Sequence, residues 1–163
     1  MTGALRLPDF SLPPSERHLE DYVVGAAYEY GTLVVSEEEI LEFANRFDPQ
    51  PIHVDRAFAL AGPFHGIIAS GWHTASLMMR LLADHYLPGS ASLASPGIDE
   101  LRWLQPVRPN DALRIRVTVL ESRRSRSKPD RGLVRSAIEV LNQDDDVVMT
   151  VNALNMVRVR DGL

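Results

Sequence analysis

Two ionisable side chains five positions apart, Asp48 and His53, bracket the turn Pro49-Gln50-Pro51. An imidazole has an ordinary pKa of about 6.5 and can take or give a proton near neutrality, while a carboxylate can orient a water or accept its proton. If the Pro-x-Pro bend turns both side chains into one cleft, they form a pair able to activate water. A plainer role is open to each: Asp48 as a cap on the turn, His53 as a satisfied core histidine. The second feature is Ala69-Ser70-Gly71-Trp72, which reads as the capped start of an apolar helix. Ser70 is a suitable N-cap, and Gly71 carries no side chain to obstruct a ligand approaching its amide. Unpaired N–H groups and a partial positive charge at a helix start suit a carbonyl oxygen gaining negative charge. This stretch too has a plain reading, as an ordinary cap behind a flexible loop. Together the two features describe an acid/base site for an acyl substrate.

Other chemistry is poorly supported. His65, His73 and His85 lack the spacing of a metal site, so no metal ligands are assigned, and His73 is expected on the apolar helix as a packing or gating residue. Ser76 lacks the nucleophile-elbow pattern of a serine hydrolase. The absence of cysteine excludes a disulfide framework, a thiolate nucleophile and a thiolate metal site. Lys and Arg total 17 against 22 Asp and Glu, a net charge of −5, which argues against a nucleic-acid binder. The Arg123, Arg124, Arg126 and Lys128 cluster reads as a solvated loop that could also meet the phosphates of a nucleotide-bearing substrate. No apolar run reaches the roughly 18 residues of a membrane span and no leader pattern opens the chain, so a cytoplasmic location is expected.

The elements that must position these residues follow from local rules. A chain of 163 residues suits one domain with a sizeable core. Residues 1–20 are rich in proline and poor in periodicity, and are expected to form an arm that is loosely ordered unless a neighbour covers it; residues 21–163 form the domain. Tyr28 to Val35 reads as a strand. Ser36-Glu37-Glu38-Glu39 is a capping box opening a helix whose stripe is Ile40, Phe43, Ala44 and Phe47, stopped by Pro49 and Pro51. Asp55 caps a short turn through Phe58 and Leu60. Ser70 to about Tyr86 is a helix with almost no polar face, in which Trp72, Met78 and Met79 read as core. Strands are expected at Ile98–Leu104, Ala112–Glu121, Leu133–Leu141 and Val147–Val159. Trp103 in the first of these also reads as core.

The run Phe43-Ala44 through Phe47-Asp48-Pro49-Gln50-Pro51-Ile52-His53-Val54-Asp55, followed by Gly66-Ile67-Ile68-Ala69-Ser70-Gly71-Trp72-His73-Thr74-Ala75, resembles the MaoC-like dehydratases, relatives of the (R)-specific enoyl-CoA hydratases. The likeness runs from about Val24 to Val157 and includes Asp99-Glu100-Leu101-Arg102-Trp103 and Pro106-Val107-Arg108-Pro109-Asn110-Asp111. It implies an α+β hot-dog fold, a curved antiparallel sheet wrapped round a long central apolar helix, dimerised or further assembled into a homo-oligomer. It implies a hydro-lyase of acyl-CoA thioesters with Asp48 and His53 catalytic. It also implies the Gly71 amide as oxyanion donor, with Ser70, Gln50 and Trp72 near the substrate. No cofactor is implied beyond the coenzyme A carried by the substrate, and neither nucleic acid nor membrane is a partner. Gln50 stands where the family usually has Asn, Ser70 where it commonly has His, and Met79 where some relatives have Ser. A hot-dog thioesterase and a non-catalytic acyl-CoA-binding subunit are the alternative readings. An acyl tunnel lined by Trp72 and Met79 is expected.

Overall fold

The computed structural model describes residues 9–161. Five strands, β1 (Ala27–Val34), β2 (Gly97–Trp103), β3 (Ala112–Arg124), β4 (Arg131–Leu141) and β5 (Val147–Arg158), form one antiparallel sheet in the order β1-β3-β4-β5-β2. On β3 and β4 the side chains alternate as period-two patterning requires. Leu113, Ile115, Val117, Val119, Val134, Ile138 and Val140 are buried on one face, while Arg114, Arg116 and Glu139 lie on the other. Each strand pairing contains a register shift, and such bulges bend and twist strands, which curls the sheet round what lies on its dry face.

That face receives the helix α4 (Gly71–Leu81), which runs on into a π-helical turn, Leu82–Tyr86. Met78, Leu81, Leu82 and Tyr86 are buried with the strand residues in one apolar cluster, each such side chain contributing roughly 1.5–3 kcal/mol on burial. The helix is covered on one side only. Trp72 and Met79, expected in the core, are 59% and 45% exposed, because Trp72, Ser76, Met79 and Arg80 line the side that faces away from the sheet.

The preceding helices follow the local signals. α1 (Glu37–Phe47) opens with the expected capping box, Glu39 N–H to Ser36 Oγ at 3.1 Å and Ser36 N–H to Glu39 Oε2 at 3.0 Å. Its stripe buries Ile40 and Ala44 and half-buries Phe43, but Phe47 in the last turn is exposed, with the Arg46 guanidinium over its ring. α2 (Pro51–Val54) is one turn started by Pro51, and α3 (Arg56–Ala61) is capped by the Asp55 carboxylate, which accepts the Phe58 amide at 2.9 Å. The N-terminal segment is covered by the domain itself from Phe10 onward. Phe10 stacks on Tyr28 at 4.1 Å between ring centroids, and Arg17 is 97% buried with its Nη1 donating to the carbonyl of His85 at 2.5 Å. Residues 1–8 of the expected arm lie outside the described residues.

Candidate active site

The end of α1 and the single turn of α2 bring the two ionisable groups together. Asp48 is the C-cap of α1, where the chain leaves helical geometry ahead of Pro49, and His53 sits buried on α2. Asp48 Oδ2 and His53 Nε2 are 3.4 Å apart. His53 Nδ1 lies 2.7 Å from the carbonyl oxygen of Ile68. A carbonyl can only accept, so Nδ1 carries a hydrogen and donates it, and in the neutral ring Nε2 is left as a bare acceptor beside Asp48.

The carboxylate is held from two further sides. Ser70 Oγ donates to Asp48 Oδ2 at 2.6 Å, and the Gln50 amide donates to Oδ1 at 2.7 Å. The Ser70 bond, then the Gln50 bond, hold the Asp48 carboxyl below its ordinary range, against a smaller opposing push from burial. Ser70, expected beside the ligand, is instead fully buried. Its hydroxyl accepts the Trp72 amide at 3.3 Å as an N-cap while donating to Asp48, so it has no hydrogen left for a substrate. Gln50, expected near the substrate, lines the cavity and steadies the carboxylate.

Beyond this pair lies the tip of α4. The Gly71 amide has no acceptor among the described residues and opens on a cavity of about 420 Å³. Asp48, Gln50, His53 and Trp72 line the same cavity, together with Phe64, Ile68 and the run Trp103–Val107. The Trp103 indole lies over the tip: its Nε1 donates to the Gly71 carbonyl at 2.9 Å, and it meets Trp72 edge-on at 5.1 Å between centroids. A Cβ at position 71 would stand 2.4 Å from Trp103 Cε2, so the glycine is required by this close approach.

Five of the six sequence-derived site residues therefore converge on one cavity, and the sixth, Ser70, supports it from behind. Met79 does not line the cavity, so a tunnel wall from Trp72 to Met79 is not formed. Two contributors escape a reading of motifs. The Ile68 carbonyl is an unremarkable backbone group, and Trp103 reads as one more apolar strand residue, although its place in Trp103-Leu104-Gln105-Pro106, at the end of an edge strand, could have marked it. His73, two residues behind the tip, is buried and stacks on Phe43 at 4.7 Å, and its Nδ1 has no hydrogen-bond partner among the described residues. Burial pushes its pKa down and keeps it neutral, the packing role expected of it. Among the described residues no three His, Asp or Glu side chains gather as a metal-ligand set, and no helix is long and apolar enough to cross a membrane.

A family model described as a MaoC like domain matches residues 22–140. The uncharacterized protein YdeM of Bacillus subtilis is 32% identical over 127 residues, covering 78% of this chain and 89% of that protein. A protein of Methylorubrum extorquens named 3-hydroxybutyryl-CoA dehydratase is 31% identical over 138 residues, covering 84% and 82%. Among solved structures, a MaoC-like dehydratase from Rhodospirillum rubrum is similar with a TM-score of 0.82 and 40% identity, over 88% of this chain and 98% of that one. The antiparallel sheet curled on one helix is the hot-dog arrangement.

Proposed function

The chain belongs to the MaoC-like dehydratase family, and from that premise we propose that it adds water to the double bond of a 2-enoyl-CoA or removes it from a 3-hydroxyacyl-CoA. The observation that carries this reading is the bare His53 Nε2, 3.4 Å from an ionised Asp48 and facing the cavity that also receives the Gly71 amide. A water between the two side chains donates one hydrogen to each. Because Asp48 is held below the usual carboxylate range, it is the weaker base, so it fixes the water and His53 takes the proton.

As the water oxygen bonds to C3, the C2–C3 π electrons move onto the thioester oxygen, where the Gly71 amide and the positive end of α4 stabilise them. Loss of such a donor typically costs roughly 3 kcal/mol. The imidazolium, balanced by the Asp48 charge, then returns its proton to C2 and the thioester re-forms, completing the addition of one water. Run backwards, the same steps dehydrate the 3-hydroxyacyl thioester. No metal or redox group enters these steps, and coenzyme A arrives with the substrate.

The test is ultraviolet loss of enoyl absorbance when the purified protein meets crotonyl-CoA. Asp48→Asn and His53→Ala are each expected to lower kcat/KM by about 10²–10⁴-fold. Full rates in both variants would overturn the assignment. Release of free thiol without loss of the enoyl group would make the protein a thioesterase, and neither signal across acyl lengths would leave an acyl-binding subunit.

A further inference from the structure

The hairpin cations at 123–128 stand apart from the cavity: none lines it, Arg123 is paired with Glu121, and Arg124 donates to the Pro129 carbonyl. A different cation is placed at the cavity. Arg108 directly follows the lining residues Trp103–Val107, and its Nη1 comes within 3.9 Å of the Cβ position of Gly66, on the segment that supplies Phe64, Ile68 and Ala69 to the same wall.

The root of this side chain is rigid. The Val107 carbonyl accepts the Ala69 amide at 2.8 Å, the Arg108 amide donates to the buried Asp111 carboxylate at 2.9 Å, and the Asp111 amide closes the turn on the Arg108 carbonyl at 3.1 Å. The Gln143 amide holds the other Asp111 oxygen at 3.0 Å, so that carboxylate is occupied by backbone and amide groups. The guanidinium itself is exposed and meets no carboxylate among the described residues, unlike Arg56 with Glu37 or Arg114 with Glu29. Arg102 is not equivalent. It pairs with Thr150, whereas its neighbour Trp103 pairs with buried Met149, so Arg102 projects from the opposite face of the sheet. Arg46 spends its charge over the ring of Phe47.

We propose that Arg108 is the binding residue for the phosphate end of the pantetheine thioester whose acyl end lies at Gly71. The inference rests on the thioester reading above and adds the group that recognises the carrier. Residues 66 and 71 are five steps of chain apart, at most about 17 Å, which keeps the guanidinium within reach of a pantetheine arm whose thioester sits at Gly71. A planar guanidinium with all its outward donors uncommitted is the side chain suited to a phosphate.

The experiment measures binding of the saturated thioesters butyryl-CoA, butyryl-phosphopantetheine and butyryl-pantetheine, which cannot be hydrated, to wild type, Arg108→Ala and Arg108→Lys by calorimetry. Wild type is expected to prefer the phosphorylated ligands. Arg108→Ala should weaken them about tenfold, as for a lost hydrogen bond to a charged group, while leaving butyryl-pantetheine unchanged. Arg108→Lys should recover part of the loss. The preference should shrink as salt rises. A loss confined to butyryl-CoA assigns the contact to the nucleotide phosphates; a loss shared by butyryl-phosphopantetheine assigns it to the phosphate that a carrier protein would also present. Equal weakening of all three ligands, no change in any, or no binding of any by wild type overturns the proposal. Phosphate-dependent binding without hydration of a 2-enoyl-CoA of any acyl length would sink the hydratase reading and leave this site standing.

Discussion

The Ser70 hydroxyl has the largest part in keeping Asp48 ionised, and it does so at 2.6 Å from a fully buried position. Ser70→Ala should therefore raise the Asp48 pKa, read from the carboxyl carbon shift of Asp48 in an NMR titration. The same change removes the N-cap of α4, costing about 1 kcal/mol in urea unfolding. An unmoved Asp48 titration would show that Ser70 serves only as a cap. At this scale the pair Asp48 and His53 is legible in the sequence, because five residues and two prolines confine how far apart they can lie. The partners that tune them are not. Ser70 lies 22 residues from Asp48, and the Ile68 carbonyl that sets the imidazole tautomer is 15 residues from His53, so both bonds exist only once tertiary packing has placed the segments.

Two elements meet at the tip of α4: the helix supplies the Gly71 amide, which has no acceptor among the described residues, and the end of β2 supplies the Trp103 indole that packs against the same residue. Gly71→Ala forces one of them to move, because the new methyl would stand 2.4 Å from the ring. The expected result is a fall in kcat/KM of about 10²–10³-fold, the scale of a lost oxyanion donor. Combining it with Trp103→Ala should recover part of the activity by relieving the clash. If the double variant is no better than the single one, the indole is not what excludes a side chain there. Element boundaries set by local chemistry are legible: the capping box starts α1, the proline pair ends it, and alternation marks β3 and β4. The outward side of α4 is not, because Trp72 and Met79 look like core by composition and are exposed only because the sheet covers the other side. The likeness to MaoC-like dehydratases conveys the antiparallel sheet round a helix, which periodicity alone leaves as one of several layered arrangements.

For the whole molecule, two titrations act in the same direction. Burial lowers the His73 pKa, with Glu39 on α1 opposing it weakly, so the folded state disfavours the proton that the unfolded chain takes up below about pH 6.5. Stability to urea should thus decline as pH falls below that value, and His73→Phe, which keeps the stack on Phe43, should flatten this step. Asp48, stabilised as an anion, adds a second decline only below about pH 4. The edge strand β2 and the uncovered side of α4 expose Ile98, Trp103, Leu104 and Trp72. We expect a second copy to cover them, giving twice the 18.2 kDa chain mass by light scattering, with Ile98→Lys shifting the population toward monomer. The far end of the same helix is treated differently. There the Tyr86 carbonyl accepts the Tyr22 hydroxyl at 2.6 Å and Arg17 Nη1 at 3.3 Å, and the Tyr86 hydroxyl is hydrogen-bonded to Ser136 at 2.7 Å. Anchored there and again at its head, through Ser70 to Asp48 and Trp103 to the Gly71 carbonyl, the helix is a fixed mount that holds the Gly71 amide in place before any ligand arrives.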